Sequence, residues 1–374
     1  MTLVIDVHAL QTVPPSLINR DDMGAPKTAI FGGVPRQRIS SQSWKRAIRK
    51  YFETEGQEIG KRSRELPKII AERVKELNPE YTEEQALDGV RALFKATGKE
   101  GIKLVEPAKP KKGEEPTEPQ YPTTSYLLYL SPQQIQRAAE AIVAKNGEKF
   151  FKNEAQGILD TKHSVDQAMF GRMLADAPSY NIDAAVQVAH AISVHEAQPE
   201  FDYFTAVDDV VEDAEETGAG MIGTTQMMSS TLYRFATVNV DALATNLADK
   251  DMAREAAGAF LTAFAQSMPT GKQNTFANNT LPELVYVAVR DTRSVSLVNV
   301  FEEPIESAGK GRRHAAAQAL ADEERDIEEA YGMKPLAAFV VATGGLGETF
   351  AGLAEATSMK DLPAQVSAVL AGAE

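Results

Sequence analysis

The sequence predicts an α+β fold, a sheet domain carrying two excursions. Apolar residues alternate with period two in several short stretches, and these are separated by stretches with helical apolar spacing. The length, 374 residues, exceeds the ~100–200 usual for one domain. Two segments interrupt the pattern, one rich in Pro, Lys and Glu and one acidic. Apolar residues at 43% and charged residues at 25% allow a sizeable globular core. Cysteine is absent, which excludes disulfides, thiolate metal sites and thiol nucleophiles. The longest apolar run, Leu336 to Ala342, is far short of the ~18 residues that span a bilayer. The start, Met-Thr-Leu-Val-Ile-Asp, lacks the features of a signal peptide. The expectation is a soluble cytoplasmic protein with no membrane partner.

Leu3 to Leu10 is β-rich and reads as a core strand. Pro14, Pro15, Gly24, Pro26, Gly32, Gly33 and Pro35 then forbid a helix and read as a loop. Trp44, Ala47, Ile48 and Tyr51 recur at helical spacing behind a serine-rich start suited to N-capping. Lys45, Arg46, Arg49 and Lys50 fall off that stripe, so the helix shows a basic side. Residues 66–97 read as two polar helices, and 106–122, with five prolines, as a linker. Ser131, Pro132 and Gln134 form a capping box opening another helix. Helical pattern continues to Leu159, which makes 55–160 an insertion. Val186, Val188, Ile192 and Val194 alternate as a strand, with His190 on their face. Leu232, Ala236, Val238 and Val240 alternate against Tyr233 and Phe235. Between these strands lies the acidic stretch, with Phe201, Tyr203 and Phe204 near its start and Gly218-Ala219-Gly220 at its end. Ala253 to Met268 is an alanine-rich helix stopped by Pro269. Glu283–Arg290 and Ser294–Phe301 read as a hairpin, 312–331 as a charged helix, Leu336–Ala342 as the last strand and Pro363–Leu370 as the final helix.

Net charge is −14, which taken whole argues against nucleic-acid binding. The distribution decides otherwise. Residues 1–50 hold eight Lys/Arg and three Asp/Glu, and Met23 to Lys50 holds seven basic residues and no acidic one. Glu196 to Glu216 holds nine acidic residues and no Lys or Arg. A locally basic segment can hold a phosphate backbone while the acidic remainder discourages non-specific binding.

Lysine, arginine and backbone N–H groups at a helix start fix phosphates. Lys27, Arg36, Arg38, Ser40, Ser43, Lys45, Arg46 and Arg49 are therefore candidates, and they read equally as a solvated amphipathic helix and its approach. Asp21 and Asp22 read as turn caps or partners of Arg20, and alternatively as catalytic carboxylates or magnesium ligands. His190 reads as a core histidine; with His195 five residues on, the pair lacks zinc-motif spacing. Gly344-Gly345-Leu346-Gly347 reads as a tight turn, with a nucleotide loop as the alternative. Arg172 reaches out in Phe170-Gly171-Arg172-Met173; Met173 and Phe204 read as core residues or as wedges between bases.

Leu17-Ile18-Asn19-Arg20-Asp21-Asp22-Met23, Ala29-Ile30-Phe31-Gly32-Gly33 and Arg38-Ile39-Ser40-Ser41-Gln42-Ser43-Trp44-Lys45-Arg46-Ala47 resemble the signature of the CasC family. So do Gly171-Arg172-Met173, Ala189-His190-Ala191-Ile192, Phe204 to Asp209, Tyr233-Arg234-Phe235-Ala236 and Gly271-Lys272-Gln273. CasC, of the repeat-associated mysterious protein superfamily, is the backbone subunit of the type I-E CRISPR complex Cascade. The resemblance covers roughly 1–53 and 164–300; Trp44 departs from it, standing where a smaller aliphatic residue is expected. It implies an RRM-like (ferredoxin-like) palm at 1–54 and 161–374, a helical finger insertion at 55–160 and a thumb at about 196–228. It implies copies stacked along a CRISPR RNA guide, kinking it at intervals and presenting it to target DNA in antiviral defence. Large, small, CasD-type and CasE-type Cascade subunits would be partners. Carried over, Arg20, Lys27, Arg38, Ser40, Gln42, Ser43, Lys45, Arg46, Arg49 and Arg172 hold the guide, with Met173 and Phe204 at the kink. Lys145, Lys149 and Lys152 lie along the DNA path. No acid/base or metal constellation stands out, so the expectation is no cofactor, no metal and no catalytic residue. Related backbone subunits of other CRISPR types cut RNA with a loop aspartate, which makes a metal-dependent RNA endonuclease using Asp21 or Asp22 the alternative.

Overall fold

The computed structural model describes residues 2–98, 101–107, 121–206, 221–307, 309 and 311–373. Most of the 106–122 linker, the acidic residues from Asp208 to Glu216 and the Gly218-Ala219-Gly220 break lie outside the described residues. In chain order the first elements are β1 (Val4–Ser16), β2 (Thr28–Phe31), β3 (Val34–Ile39) and α1 (Ser41–Thr54). Then come β4 (Lys61–Ser63), α2 (Leu66–Leu77), α3 (Glu83–Lys95), β5 (Leu104–Val105), β6 (Thr123–Thr124) and β7 (Leu128–Leu130). They are followed by α4 (Pro132–Lys145), α5 (Lys152–Leu159), α6 (Val165–Phe170), β8 (Val186–Val188), β9 (Ala191–Ser193), β10 (Glu200–Ala206) and β11 (Met221–Asn239). The last are α7 (Val240–Leu247), α8 (Lys250–Gln266), α9 (Gln273–Phe276), β12 (Leu284–Arg290), α10 (Arg312–Tyr331), β13 (Ala337–Ala342), β14 (Glu355–Ala356) and α11 (Leu362–Gly372). The α+β class holds.

Two compact units form, one from Met1–Tyr51, Gln187–Asp241 and Arg254–Glu374, the other from Phe52–Val186 and Ala242–Ala253. The first is built on a ten-stranded mixed sheet of order β14-β13-β12-β1-β11-β9-β3-β2, with β8 and β10 also pairing β11. β1 is buried along Val4 to Leu10 because β11 and β12 flank it and both faces are covered. On one face Leu10, Tyr233, Tyr286 and Val340 pack with Phe301, Phe350 and the Ala316, Ala317, Leu320 stripe of α10. On the other, Val13, Ile39 and Leu232 pack with Trp44 of α1. Inside, Arg290 donates to Glu324 at 2.7 and 2.8 Å and to Asp6 at 3.1 Å, all three fully buried. The second unit is a helical cluster in which Ile70, Val74, Val90, Leu93, Phe94, Ile135, Ala139 and Ile142 interdigitate. Capping boxes at Thr82 and Ser131 start α3 and α4, the latter as its sequence predicts.

Four sequence expectations need correction. The Gly/Pro loop holds the β2–β3 hairpin, whose turn is Gly32-Gly33 at positive φ. A Cβ on Gly32 would lie 1.6 Å from the Glu302 carbonyl oxygen, so only glycine lets the hairpin close there. Ser294–Phe301 is not a strand; its end is a 3₁₀ turn, and the partner of β12 is β13. Its apolar alternation places Leu297 and Phe301 in the core. Val186–Val194 is two short strands interrupted at Ala189 and His190, and His190 in the interruption is exposed. Leu336–Ala342 is not the last strand, since β14 adds parallel to β13. Among the described residues no helix is long and apolar enough to cross a membrane.

Candidate nucleic-acid interface

β3 runs into α1 through Ser40, and this junction organises the site. Trp44, Ile48 and Phe52 are buried, so α1 shows Gln42, Lys45, Arg46, Arg49 and Lys50 at least partly to solvent. Burial of the Lys45 stem lowers its ammonium pKa from the ordinary value. Ser40 caps the helix: its Oγ accepts from Ser43 N at 3.3 Å, while its own N–H donates to Asn19 Oδ1 at 2.9 Å. Ser41 N donates to His190 Nδ1 at 3.3 Å. Three N–H groups at the helix start, expected to meet a phosphate, are therefore already taken by protein acceptors, which leaves the side chains as the groups that could hold an anion.

Arg38 donates to His190 Nδ1 at 3.3 Å and to the Thr28 carbonyl at 3.2 Å. Burial first, then the charges of Arg38 and Lys27, lower the His190 pKa. The neutral ring accepts at Nδ1 and so carries its proton on Nε2. The core role expected for His190 is thus replaced by a place among Lys27, Arg38 and Ser41. Beside this group a cleft of about 560 Å³ is lined by residues including Asn19, Arg20, Asp22, Ser43, Arg46 and Lys50. Arg20, Lys27, Arg38 and Arg46 form no ion pair among the described residues. Asp21 Oδ1 accepts from Met23 N and Ala25 N, both at 2.9 Å, closing a turn.

Other candidates lie elsewhere. Arg36, grouped with Arg38 in the sequence, is fully buried and donates to the carbonyls of Phe31, Ser193, Phe301 and Glu302. Arg172, expected to reach out, is 4% exposed and binds Asp160 at 2.9 Å together with the Leu159 and Tyr180 carbonyls. Burial pushes its pKa down to about 10. Met173 beside it is 82% exposed, which overturns its core alternative. Phe204 sits on β10 opposite Gly223 of β11, 42% exposed, its ring over the glycine where a Cβ would meet it at 2.4 Å. Lys145 pairs with Glu154 at 2.8 Å; Lys149 and Lys152 are exposed. Gly344 and Gly345 both take positive φ ahead of a 3₁₀ turn. Sequence patterning missed His190, Lys50 as a wall of the cleft, and Arg234. The Arg234 guanidinium lies buried between Trp44 and Phe264, 3.7 and 4.4 Å from their ring centres.

No curated protein matches the chain. A solved chain titled "CRISPR RNA-guided surveillance complex, pre-nicking" is similar at 36% identity and TM-score 0.82, over 99% of this chain and 100% of that one. Another, titled "CRISPR RNA-guided surveillance complex", is similar at 31% identity and TM-score 0.73, over 99% of each. The profile of the CT1975-like proteins matches residues 5–365, so the chain belongs to the CT1975-like protein family.

Proposed function

We propose that this chain is the backbone subunit of a Cascade-type CRISPR surveillance complex, of type I-E and CasC kind, holding the guide RNA. The end-to-end likeness to a chain of an RNA-guided surveillance complex carries this assignment. Arg20, Lys27, Arg38 and Arg46, without ion pairs among the described residues, support it chemically, because a subunit that leaves bases free should hold phosphate and sugar. Several copies polymerise along the guide, kink it with Met173 and the Phe204 ribbon, and present it to target DNA. The palm is RRM-like, and the protein works in the cytoplasm beside the other Cascade subunits. It acts without catalysis: the Asp21 carboxylate is engaged by its own turn. Asp22, on the cleft, is the residue to change if RNA is cut.

The test is to purify the protein with its host nucleic acid and sequence what accompanies it. Discrete CRISPR-derived RNAs in large particles, intact after long incubation with magnesium, are the expected result. A monomer without RNA, in the presence of the other subunits, would defeat the assignment. RNA cleaved with magnesium by the wild type but not by Asp22→Ala would replace it with an endonuclease. The triple variant Lys45→Ala/Arg46→Ala/Arg49→Ala should flatten the slope of log affinity against log salt by roughly 2, at about 0.7 per phosphate on a single strand. An unchanged slope would remove α1 from the RNA surface.

A further inference from the structure

His190 is a group at the α1 junction whose placement neither charge nor core packing explains. It is exposed, in the break between β8 and β9. Its Nδ1 receives two donors, Arg38 Nη1 and Ser41 N, both at 3.3 Å. A lone pair that already meets two N–H groups has no room for a proton, so the ring is held as the Nε2–H tautomer. Burial, and then the positive charges of Arg38 and Lys27, oppose a second proton. His190 is therefore a neutral donor standing among cations.

The groups that hold the ring are themselves anchored. Arg38 donates from Nε to the Thr28 carbonyl at 3.2 Å, and its backbone N–H donates to the Lys27 carbonyl at 2.9 Å. Lys27 N donates to the Asn19 carbonyl at 3.0 Å, and Asn19 Oδ1 accepts from Ser40 N at 2.9 Å. The base of the β2–β3 hairpin, the start of α1 and the imidazole thus form one hydrogen-bonded block. Within it the Nε2–H meets no acceptor among the described residues. A donor fixed from behind and open in front binds a ligand without first losing side-chain freedom.

We propose that His190 Nε2–H donates to a ribose 2′-hydroxyl oxygen of the bound strand, and so sets a preference for RNA over DNA. The proposal rests on the reading of this junction as the guide-holding surface. Phosphates are drawn to full charges, which Lys27, Arg38 and Arg46 supply without ion pairs among the described residues. A neutral donor adds little beside those cations for a phosphate, and it matches a neutral hydroxyl oxygen. The 2′-hydroxyl is also the group by which a protein tells the two strands apart.

The test uses the full chain, stripped of nucleic acid in high salt, and three labelled single strands of one sequence built on ribose, deoxyribose and 2′-fluororibose. Binding is followed by anisotropy across a salt series. The wild type should prefer ribose to deoxyribose by about three- to tenfold for each copy bound, the worth of one net hydrogen bond. The 2′-fluoro strand keeps the sugar pucker of RNA but offers a poor acceptor, and it should bind like deoxyribose. His190→Asn leaves an oxygen for Ser41 N and Arg38 and places no donor at the Nε2 position. It should lose the preference by weakening RNA alone, with the slope of log affinity against log salt unchanged. His190→Gln, whose amide N–H reaches near that position, should restore part of the preference. A purely structural role would instead weaken all three strands together in both variants, and would overturn the proposal. So would equal wild-type affinity for ribose and deoxyribose, a 2′-fluoro strand that binds as tightly as ribose, or a preference left intact in His190→Asn. A slope flattened by about 0.7 in His190→Asn would make the ring a phosphate contact and not a ribose one. A wild type that binds neither RNA nor DNA would defeat the guide-holding reading itself, whereas binding without ribose preference would remove only the role of His190.

Discussion

Arg234 carries its charge inside the protein with no carboxylate facing it among the described residues. Two flat rings and two oxygens, Gln11 Oε1 at 2.6 Å and the Phe264 carbonyl, take the place of a counter-ion. Burial pushes its pKa down to about 9, so it stays charged at neutral pH. The stack also explains Trp44, where a smaller aliphatic residue was expected: the indole is the upper face of the sandwich. Arg234→Lys keeps the charge and loses the plane, and should cost about 2 kcal/mol. Chemical denaturation followed by Trp44, the single tryptophan, reads this; equal stability would mean that the stack contributes nothing. His190 offers a second measurement. Its lowered pKa favours the neutral ring, so its contribution is present above the ordinary histidine pKa and lost as pH falls through the folded value. His190→Ala should cost roughly 0.5–1 kcal/mol at pH 7.5, the range for a solvent-screened hydrogen bond. The difference should shrink as pH falls below the ordinary histidine pKa and through the lowered folded value. A difference that does not change with pH would show that the ring only packs.

At the scale of elements, what was legible depended on whether the signal was local. α1 and α4 were readable because caps and 3.6-residue apolar spacing lie within one helix, and α10 because a long charged stretch is free of Pro and Gly. The β2–β3 hairpin was not, because its turn glycines and Pro35 look like loop chemistry until Glu302 and Arg36 are seen holding it. Ser294–Phe301 was misread since alternation records burial and not strand pairing. His190 was misplaced by continuing a two-residue period across the break between β8 and β9, where the buried positions change parity. The basic residues of α1 were legible as a group, whereas the inward turn of Arg36 and Arg172 follows from carbonyls that only the fold assembles. The triad of Asp6, Arg290 and Glu324 joins β1, β12 and α10, and yields a prediction at this scale. Burial raises the pKa of both carboxylates, against the lowering effect of Arg290. Arg290→Met leaves two buried carboxylates without their cation and should cost about 3–5 kcal/mol at neutral pH. With folded pKa values above the unfolded ones, the lost stability should return as pH falls and protons are taken up. A cost independent of pH would mean that packing, not charge, holds these elements.

Across the whole molecule a chain of net charge −14 keeps its cations in patches. On the proposed function, this arrangement would select against non-specific polyanion binding while leaving defined tracks for a strand. It also bears on assembly. The ribbon of β10 and β11 carries Glu200 and Asp202 beside exposed Phe201 and Tyr203, with Glu196 just before it. On the proposed polymer, the acidic ribbon of one copy would meet the basic β3–α1 surface of the next, and opposite potentials would speed correct encounter more than they tighten the final contact. Glu196→Lys/Glu200→Lys/Asp202→Lys should therefore slow assembly on guide RNA at low salt and weaken its salt dependence, while the affinity of the finished particle changes less. Light scattering after mixing measures the rate, and nuclease resistance of the bound RNA measures the finished particle. An unchanged rate with unchanged salt dependence would end the steering idea. A normal rate with a fragile particle would place these carboxylates in the formed contact instead.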